Sequence, residues 1–229
     1  MTEKGMKIAA LPKSGTYLFK NLAAYLKLKE GVSIEIDHLL TVNRRDFIDD
    51  TTPTIVSGRD PRAYFFSLLN WYKVRSQDAD WRARQDPRKL KRWDESSDDE
   101  RMFAMVYNTS SSLMQVPSRD SYDCLIKATS KPNCYVALFE NFVPQKDVNA
   151  LEDRTLDEYV RMFGHLGITM DRAYAKSMLV ASWGHSATWS PNKVDMWVEN
   201  MPTTVQRAII DIYQDVFDKF GYKIEESIG

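Results

Sequence analysis

Leu11–Pro12–Lys13–Ser14–Gly15–Thr16–Tyr17 is a polar turn set between two apolar segments of different period. The segment before it, Lys7 to Leu11, is a short apolar run and predicts a buried strand. The segment after it, Tyr17 to Leu28, carries apolar residues at helical spacing. A strand, a tight polar turn and a helix make an anion cradle. The first backbone N–H groups of a helix have no partner inside it. They point outward at the positive end of the helix dipole, where a phosphate or sulfate fits. Gly15 lets the backbone approach such an anion, Thr16 adds a hydroxyl donor, and Lys13 adds a positive charge. The common phosphate-binding spelling is a Gly, four residues, then Gly-Lys-Ser/Thr; here the Lys precedes the Gly.

Around this turn lie 229 residues, a length that suits one large domain, or at most two small ones, and is enough to bury a real core. Hydrophobic residues make up 43% and charged residues 28%, an ordinary globular composition. The formal net charge is −1, so no global field favours nucleic acid or an anionic membrane, and any anion site must be local. No apolar run reaches the roughly 18 residues that a spanning helix needs. The start, Met-Thr-Glu-Lys-Gly-Met-Lys, lacks the apolar region of a secretory signal, so cytoplasmic residence is expected. Cys124 and Cys134 are the only cysteines and are expected as reduced thiols. His38, His165 and His185 have no metal-ligand spacing, and no metal is expected.

Read in order, the chain alternates strands and helices. Gly31 stops the first helix, and Val32 to Ile36 alternates apolar and polar as a second strand, followed by Asp37–His38. Residues 43–53 are polar and predict a loop or a short frayed helix. Thr54–Ile55–Val56–Ser57 is a β-branched buried strand that stops at Gly58–Arg59–Asp60–Pro61. Asp60 is a good N-cap and Pro61 fits the first helical position, so a helix is expected to about Tyr72. Residues 73–116 predict a helical excursion, with a helix from Met102 to Val116 and a role in covering an acceptor. Ser118 to Ala128 predicts a helix, Cys134 to Phe139 a buried strand, and Leu156–Leu166, Ala173–Val180 and Thr203–Phe220 three more helices. This alternation predicts an α/β fold: one three-layer α/β/α domain around a central, mostly parallel sheet of P-loop nucleotide-binding type. Ligands in such sheets bind outside the carboxyl ends of the strands. Lys13 and Arg59 both follow strand ends directly.

Taken together, these residues resemble the sulfotransferases that use 3′-phosphoadenosine 5′-phosphosulfate (PAPS) and release 3′-phosphoadenosine 5′-phosphate (PAP). That family opens with a strand and a Pro-Lys-Ser-Gly-Thr loop, which Pro12 to Thr16 match letter for letter. Its later Arg-Asp-Pro-Arg type motif, with a Ser eight residues beyond the first Arg, is matched by Arg59–Asp60–Pro61–Arg62 and Ser67. Phe139–Glu140–Asn141 stands where the family has a Tyr-Glu-Asp-like motif, and Trp197 precedes the last long helix. The resemblance implies that Lys13, Thr16 and the N–H groups around Gly15 hold the 5′-phosphosulfate, with Lys13 stabilising the leaving phosphate and with Ser14 and Tyr17 also among the cofactor-binding residues. It implies that Arg59 and Ser67 hold the 3′-phosphate, for which a planar guanidinium is suited. It places the catalytic base at His38, about twenty residues before the Arg motif; an imidazole of pKa about 6.5 suits that work. Glu35 and Asp37 lie nearby, but strand alternation turns Glu35 to the face opposite His38.

The chain departs from the family's pattern at three points. The loop's usual adenine-stacking Trp is missing, since Thr16, Tyr17 and Leu18 follow the Gly, leaving Tyr17 or another aromatic to stack. The family's Arg-Lys-Gly motif falls on Ser190, Pro191 and Asn192, so Lys193, one residue later, is the candidate replacement. The Lys that often lies two before the His is Ile36. The reading is sulfuryl transfer from PAPS to a hydroxyl or amine of a small-molecule acceptor, with no nucleic acid or membrane partner. Trp71, Tyr72, Trp81, Trp93, Phe103 and Tyr107 are candidates for an aromatic acceptor pocket. Two alternatives stand beside it: a P-loop kinase using ATP and Mg²⁺, and a PAP-binding module without turnover. The acceptor and the oligomeric state are not legible.

Overall fold

Met6–Ala10 forms β1, and its last three residues are fully buried, as the apolar run before the turn requires. The computed structural model describes residues 5–39, 48–108, 118–143, 151–183 and 196–224. Four strands, β1, β2 (Ile34–His38), β3 (Thr54–Gly58) and β4 (Cys134–Leu138), pair in parallel in the order β2-β1-β3-β4. The chain first moves from β1 outward to β2, then returns past β1 to β3 and on to β4. The strand order therefore reverses between β1 and β3, and in such sheets ligands bind at that switch point, outside the carboxyl ends. All five residues of β3 are buried, whereas the edge strands β2 and β4 are largely half-buried. β-Branched residues concentrate in β3 because that strand is covered on both faces.

The helices, in chain order, are α1 (Thr16–Glu30), α2 (Pro61–Arg75), α3 (Ala79–Arg82), α4 (Pro87–Glu95), α5 (Asp98–Val106), α6 (Ser118–Ala128), α7 (Phe139–Phe142), α8 (Asp153–His165), α9 (Arg172–Ser182), α10 (Met196–Asn200) and α11 (Thr203–Phe220). The chain divides into two compact units: residues 1–59 with 120–193, and residues 60–119 with 194–229. The first holds the whole sheet with α7, α8, α9 and α1, and α8 packs on β3 and β4. The second unit is helical; α2, α5 and α11 pack on one another around Tyr64, Phe65, Met105 and Phe217. Among the described residues, no helix is long and apolar enough to cross a membrane.

The α/β class and the parallel sheet are as the sequence predicts, and several local boundaries differ. β2 begins two residues later than its alternation suggested and includes Asp37 and His38, because β1 continues to offer partners: Ala9 pairs with Asp37 and Ala10 with His38. β4 ends at Leu138, and Phe139 starts α7 rather than closing the strand, where its ring packs edge-on against Phe142. The helix expected over 102–116 starts earlier, at Asp98, where Ser97 and Glu100 form a reciprocal capping box, and it ends at Val106. Leu113, Met114 and Val116 lie outside the described residues.

Candidate functional site

The turn after β1 is built by two residues in the left-handed region, Lys13 (φ 63°) and Gly15 (φ 88°). Gly15 is the N-cap of α1, and no side chain caps that helix. By contrast α2, α3, α4, α5 and α9 are each closed by an Asp or Ser side chain. The first helical hydrogen bond runs from the Phe19 N–H to the Gly15 carbonyl at 2.9 Å. The preceding N–H groups at the head of α1 are thus left for an outside acceptor, and no acidic residue in the first turn would repel an anion. Gly15 also solves a space problem. A Cβ there would stand 3.1 Å from the Phe142 ring.

Ser14 secures the turn from within. Its hydroxyl turns inward, fully buried, and donates to the Leu11 carbonyl, while its N–H also donates to that carbonyl at 3.1 Å. The Ser57 hydroxyl donates to the Ser14 carbonyl at 2.9 Å. Ser14 and Ser57 therefore lock the turn onto the end of β3: a hydroxyl next to a buried strand end is drawn to the carbonyls there.

Arg59, the first residue after β3, reaches this same turn. Its Nη1 donates to the Lys13 carbonyl at 2.8 Å, and its guanidinium lies 4.3 Å from the centre of the Phe139 ring. The Tyr122 hydroxyl donates to the Arg59 carbonyl at 2.7 Å. Arg59 is only 5% exposed. Burial, and then the Arg59 charge, lower the Lys13 ammonium from its ordinary 10.5 to about 8. Two cations held side by side in a partly dry turn repel each other, and an anion between them relieves that repulsion.

Asp60 and Arg62 of the same motif serve the second unit. The Asp60 carboxylate accepts from the Arg62 backbone N–H at 2.8 Å, capping α2, and from the Arg62 Nη2 at 2.7 Å. Arg62 in turn stacks on Trp197 at 4.1 Å and on Phe217 at 4.8 Å, and donates to the Lys223 carbonyl. A carboxylate spent on a buried ion pair and a helix cap is poorly placed to hold a divalent metal, which weighs against the kinase alternative.

His38 ends β2, opposite Ala10, and so stands at the same sheet edge as the turn. Its Nδ1 lies 3.4 Å from the Thr16 Oγ1, and its backbone N–H donates to the Asp37 carboxylate at 2.7 Å. Burial first, and the Lys20 ammonium second, lower its pKa below the ordinary 6.5, which favours a neutral imidazole at pH 7. Glu35 is exposed, as alternation predicted.

The remaining candidates are less drawn together. Tyr17 is 52% exposed, with the Lys20 ammonium 5.5 Å from its ring centre, so its face is open to solvent. Ser67 is half-buried on α2 in the second unit. Lys193 lies outside the described residues. Of the aromatic residues proposed for an acceptor pocket, Trp81 and Trp93 pack on Tyr72 in the second unit, with ring centres 6.4 and 6.0 Å from that of Tyr72. They are core; Tyr107 is exposed and stacks on Phe103.

This geometry can be set beside known proteins. The fold is that of a sulfotransferase. The structure superimposes on the crystal structure of the mouse sulfotransferase SULT7A1 complexed with PAP, with a TM-score of 0.57 and 11% identity. The match covers 95% of this chain and 84% of that one. No family model matches the sequence, and no curated protein matches it. At this identity the likeness speaks for the fold.

Several residues around the turn went unnoticed in the sequence. Phe142 abuts Gly15 and also packs on Phe19, with ring centres 5.1 Å apart. Phe139 supports the Arg59 guanidinium. Ser57 secures the turn, and Lys20 raises the local positive potential near His38. Only Ser57 carried a signal that could have been used: a hydroxyl near the end of a fully buried inner strand must find a buried partner.

Proposed function

We propose that this protein is a PAPS-dependent sulfotransferase acting on a hydroxyl or amine of a small acceptor. The observation that carries the reading is the meeting of Lys13 and Arg59 at the switch point between β1 and β3, beside an uncapped helix N-terminus. Two charges of one sign in a half-buried turn, with free N–H donors next to them, suit an oxyanion with more than one negative charge. A PAP-bound neighbour in the same fold supports the choice of PAPS among such ligands.

On this reading PAPS supplies an activated sulfuryl group. The Gly15 and Thr16 N–H groups and the Lys13 ammonium bind its 5′ end. Arg59 binds a phosphate and holds the Lys13 carbonyl in place. The resemblance adds Ser67 and Lys193 as further phosphate ligands. His38 takes the acceptor's proton as the acceptor oxygen or nitrogen bonds to sulfur. The bond from sulfur to the bridging oxygen breaks, and its electron pair goes to the 5′-phosphate of PAP, where Lys13 meets the growing charge.

A thermal-shift titration with PAP, ATP-Mg²⁺ and buffer alone tests the donor class. PAP at one hundred times its Kd is expected to stabilise the fold by about 2.7 kcal/mol, and ATP-Mg²⁺ to do little. Stabilisation by ATP-Mg²⁺ alone would replace the reading with a kinase. PAP binding without transfer to any hydroxyl or amine would leave a binding module. Lys13→Ala is expected to abolish turnover, and His38→Ala to lower kcat with less loss of PAP affinity.

A further inference from the structure

Thr16 stands between two pieces of the site that the proposed chemistry uses at different moments. Its backbone N–H belongs to the head of α1, and its side chain, 5% exposed, reaches toward the end of β2. There the Oγ1 lies 3.4 Å from the His38 Nδ1, at the long end of hydrogen-bond reach. Contacts of this kind shorten when a substrate complex forms. A hydroxyl has one hydrogen to give and lone pairs to receive. If its hydrogen is turned to an anion in the cradle, the only bond it can make to Nδ1 is one in which Nδ1 carries the hydrogen. In a neutral imidazole, a proton on Nδ1 leaves the lone pair on Nε2.

We infer that Thr16 is a positioning residue that couples the two halves of the reaction: an anion in the cradle turns its hydroxyl, and the hydroxyl fixes His38 as the Nδ1–H tautomer with Nε2 free to act as base. The inference rests on the sulfotransferase reading and adds an order to it, with donor first and competent base second. The proton balance is simple. Nε2 accepts the acceptor's proton and gives an imidazolium, and the Nδ1–H continues to donate to the Thr16 oxygen throughout. The backbone bond from His38 to the Asp37 carboxylate steadies the end of β2. The nearby Lys20 charge opposes premature protonation of the ring.

The test is a long-range ¹⁵N–¹H correlation spectrum of the histidine imidazoles, with the His38 signals identified by their loss in His38→Gln. Spectra are recorded for the wild type, Thr16→Ser and Thr16→Val, each free and with PAP or inorganic phosphate added. Binding of each probe is measured in parallel by calorimetry. In the wild type, filling the cradle is expected to move His38 to the Nδ1–H pattern. Thr16→Ser is expected to keep that response and Thr16→Val to lose it, while the other histidines stay unchanged. PAP binding to the wild type with no change at His38, or an identical change in Thr16→Val, overturns the inference and leaves the sulfotransferase reading intact. Failure of the wild type to bind either probe overturns that reading, and the inference with it. Because the wild-type spectra alone decide the main point, a poorly folded Thr16→Val would not shelter the inference.

Discussion

Lys13 is a lysine made unusual by its surroundings. Its folded pKa of about 8 lies below the 10.5 of the unfolded chain. Between those values the unfolded chain binds more protons, so this residue makes stability rise with pH there, and its burial cost is full below about pH 8. Anion binding works in the opposite direction, because the ammonium must stay charged. PAP affinity is therefore expected to weaken as pH climbs through 8, and Lys13→Arg, always charged, is expected to flatten that dependence. Calorimetric titration at pH 7, 8 and 9 reads both. His38 gives a second pH signature. A base works only when unprotonated, so the acid limb of kcat/KM is expected below pH 6.5, where burial and Lys20 have moved the ring's pKa. Lys20→Gln removes one of the two causes and should shift the limb upward without passing 6.5; an unchanged limb would show that another group is the base.

At the scale of elements, the turn keeps its shape through its attachment to a neighbouring strand. Ser57→Ala strands the Ser14 carbonyl in a dry place, and such a loss costs about 1–3 kcal/mol. Urea unfolding is expected to show that drop, and PAP binding to weaken with it. A variant as stable and as tight as wild type would mean that the lock is unimportant. The head of α2 is a different device. Asp60→Ala removes a helix cap and leaves the Arg62 guanidinium buried without its carboxylate, a change worth about 3–5 kcal/mol. Asp60→Asn, which still caps, should lose less. The motif from Arg59 to Arg62 thus divides by physical job. Arg59 turns to the cradle, whereas Asp60 and Arg62 build the start of a helix.

At the scale of the whole molecule, a net charge of −1 gives no broad field to draw in anions. The attraction of the proposed site comes from Lys13, Arg59 and backbone N–H groups, and charges in partly buried places are weakly screened. PAP binding is therefore expected to weaken less than tenfold between 50 and 500 mM NaCl. A nucleic-acid-like loss of about a thousandfold or more would point instead to a wide cationic surface. The same scale explains what could be read without coordinates. Strand–turn–helix units with β-branched inner strands predict a parallel sheet, because those patterns reflect burial of one strand between two layers. Lys13 and Arg59 were legible since each follows a strand directly, and strand ends share one sheet edge.

What the linear order of residues determined is this edge: the placement of Pro12 to Thr16, His38 and Arg59 at the carboxyl ends of three parallel strands. Local rules suffice there, because strand direction and burial follow from the residues of each segment. Contacts between distant segments were decided only by folding. The Ser14 carbonyl, in the turn, met the Ser57 hydroxyl of β3. The Arg59 guanidinium found the Phe139 ring, and Thr16 met His38, across separations in sequence that no spacing rule spans. Tyr72, Trp81 and Trp93 became core because Trp81 and Trp93 could each bury a large ring against Tyr72, and no pattern along the chain distinguishes such a cluster from the wall of a pocket.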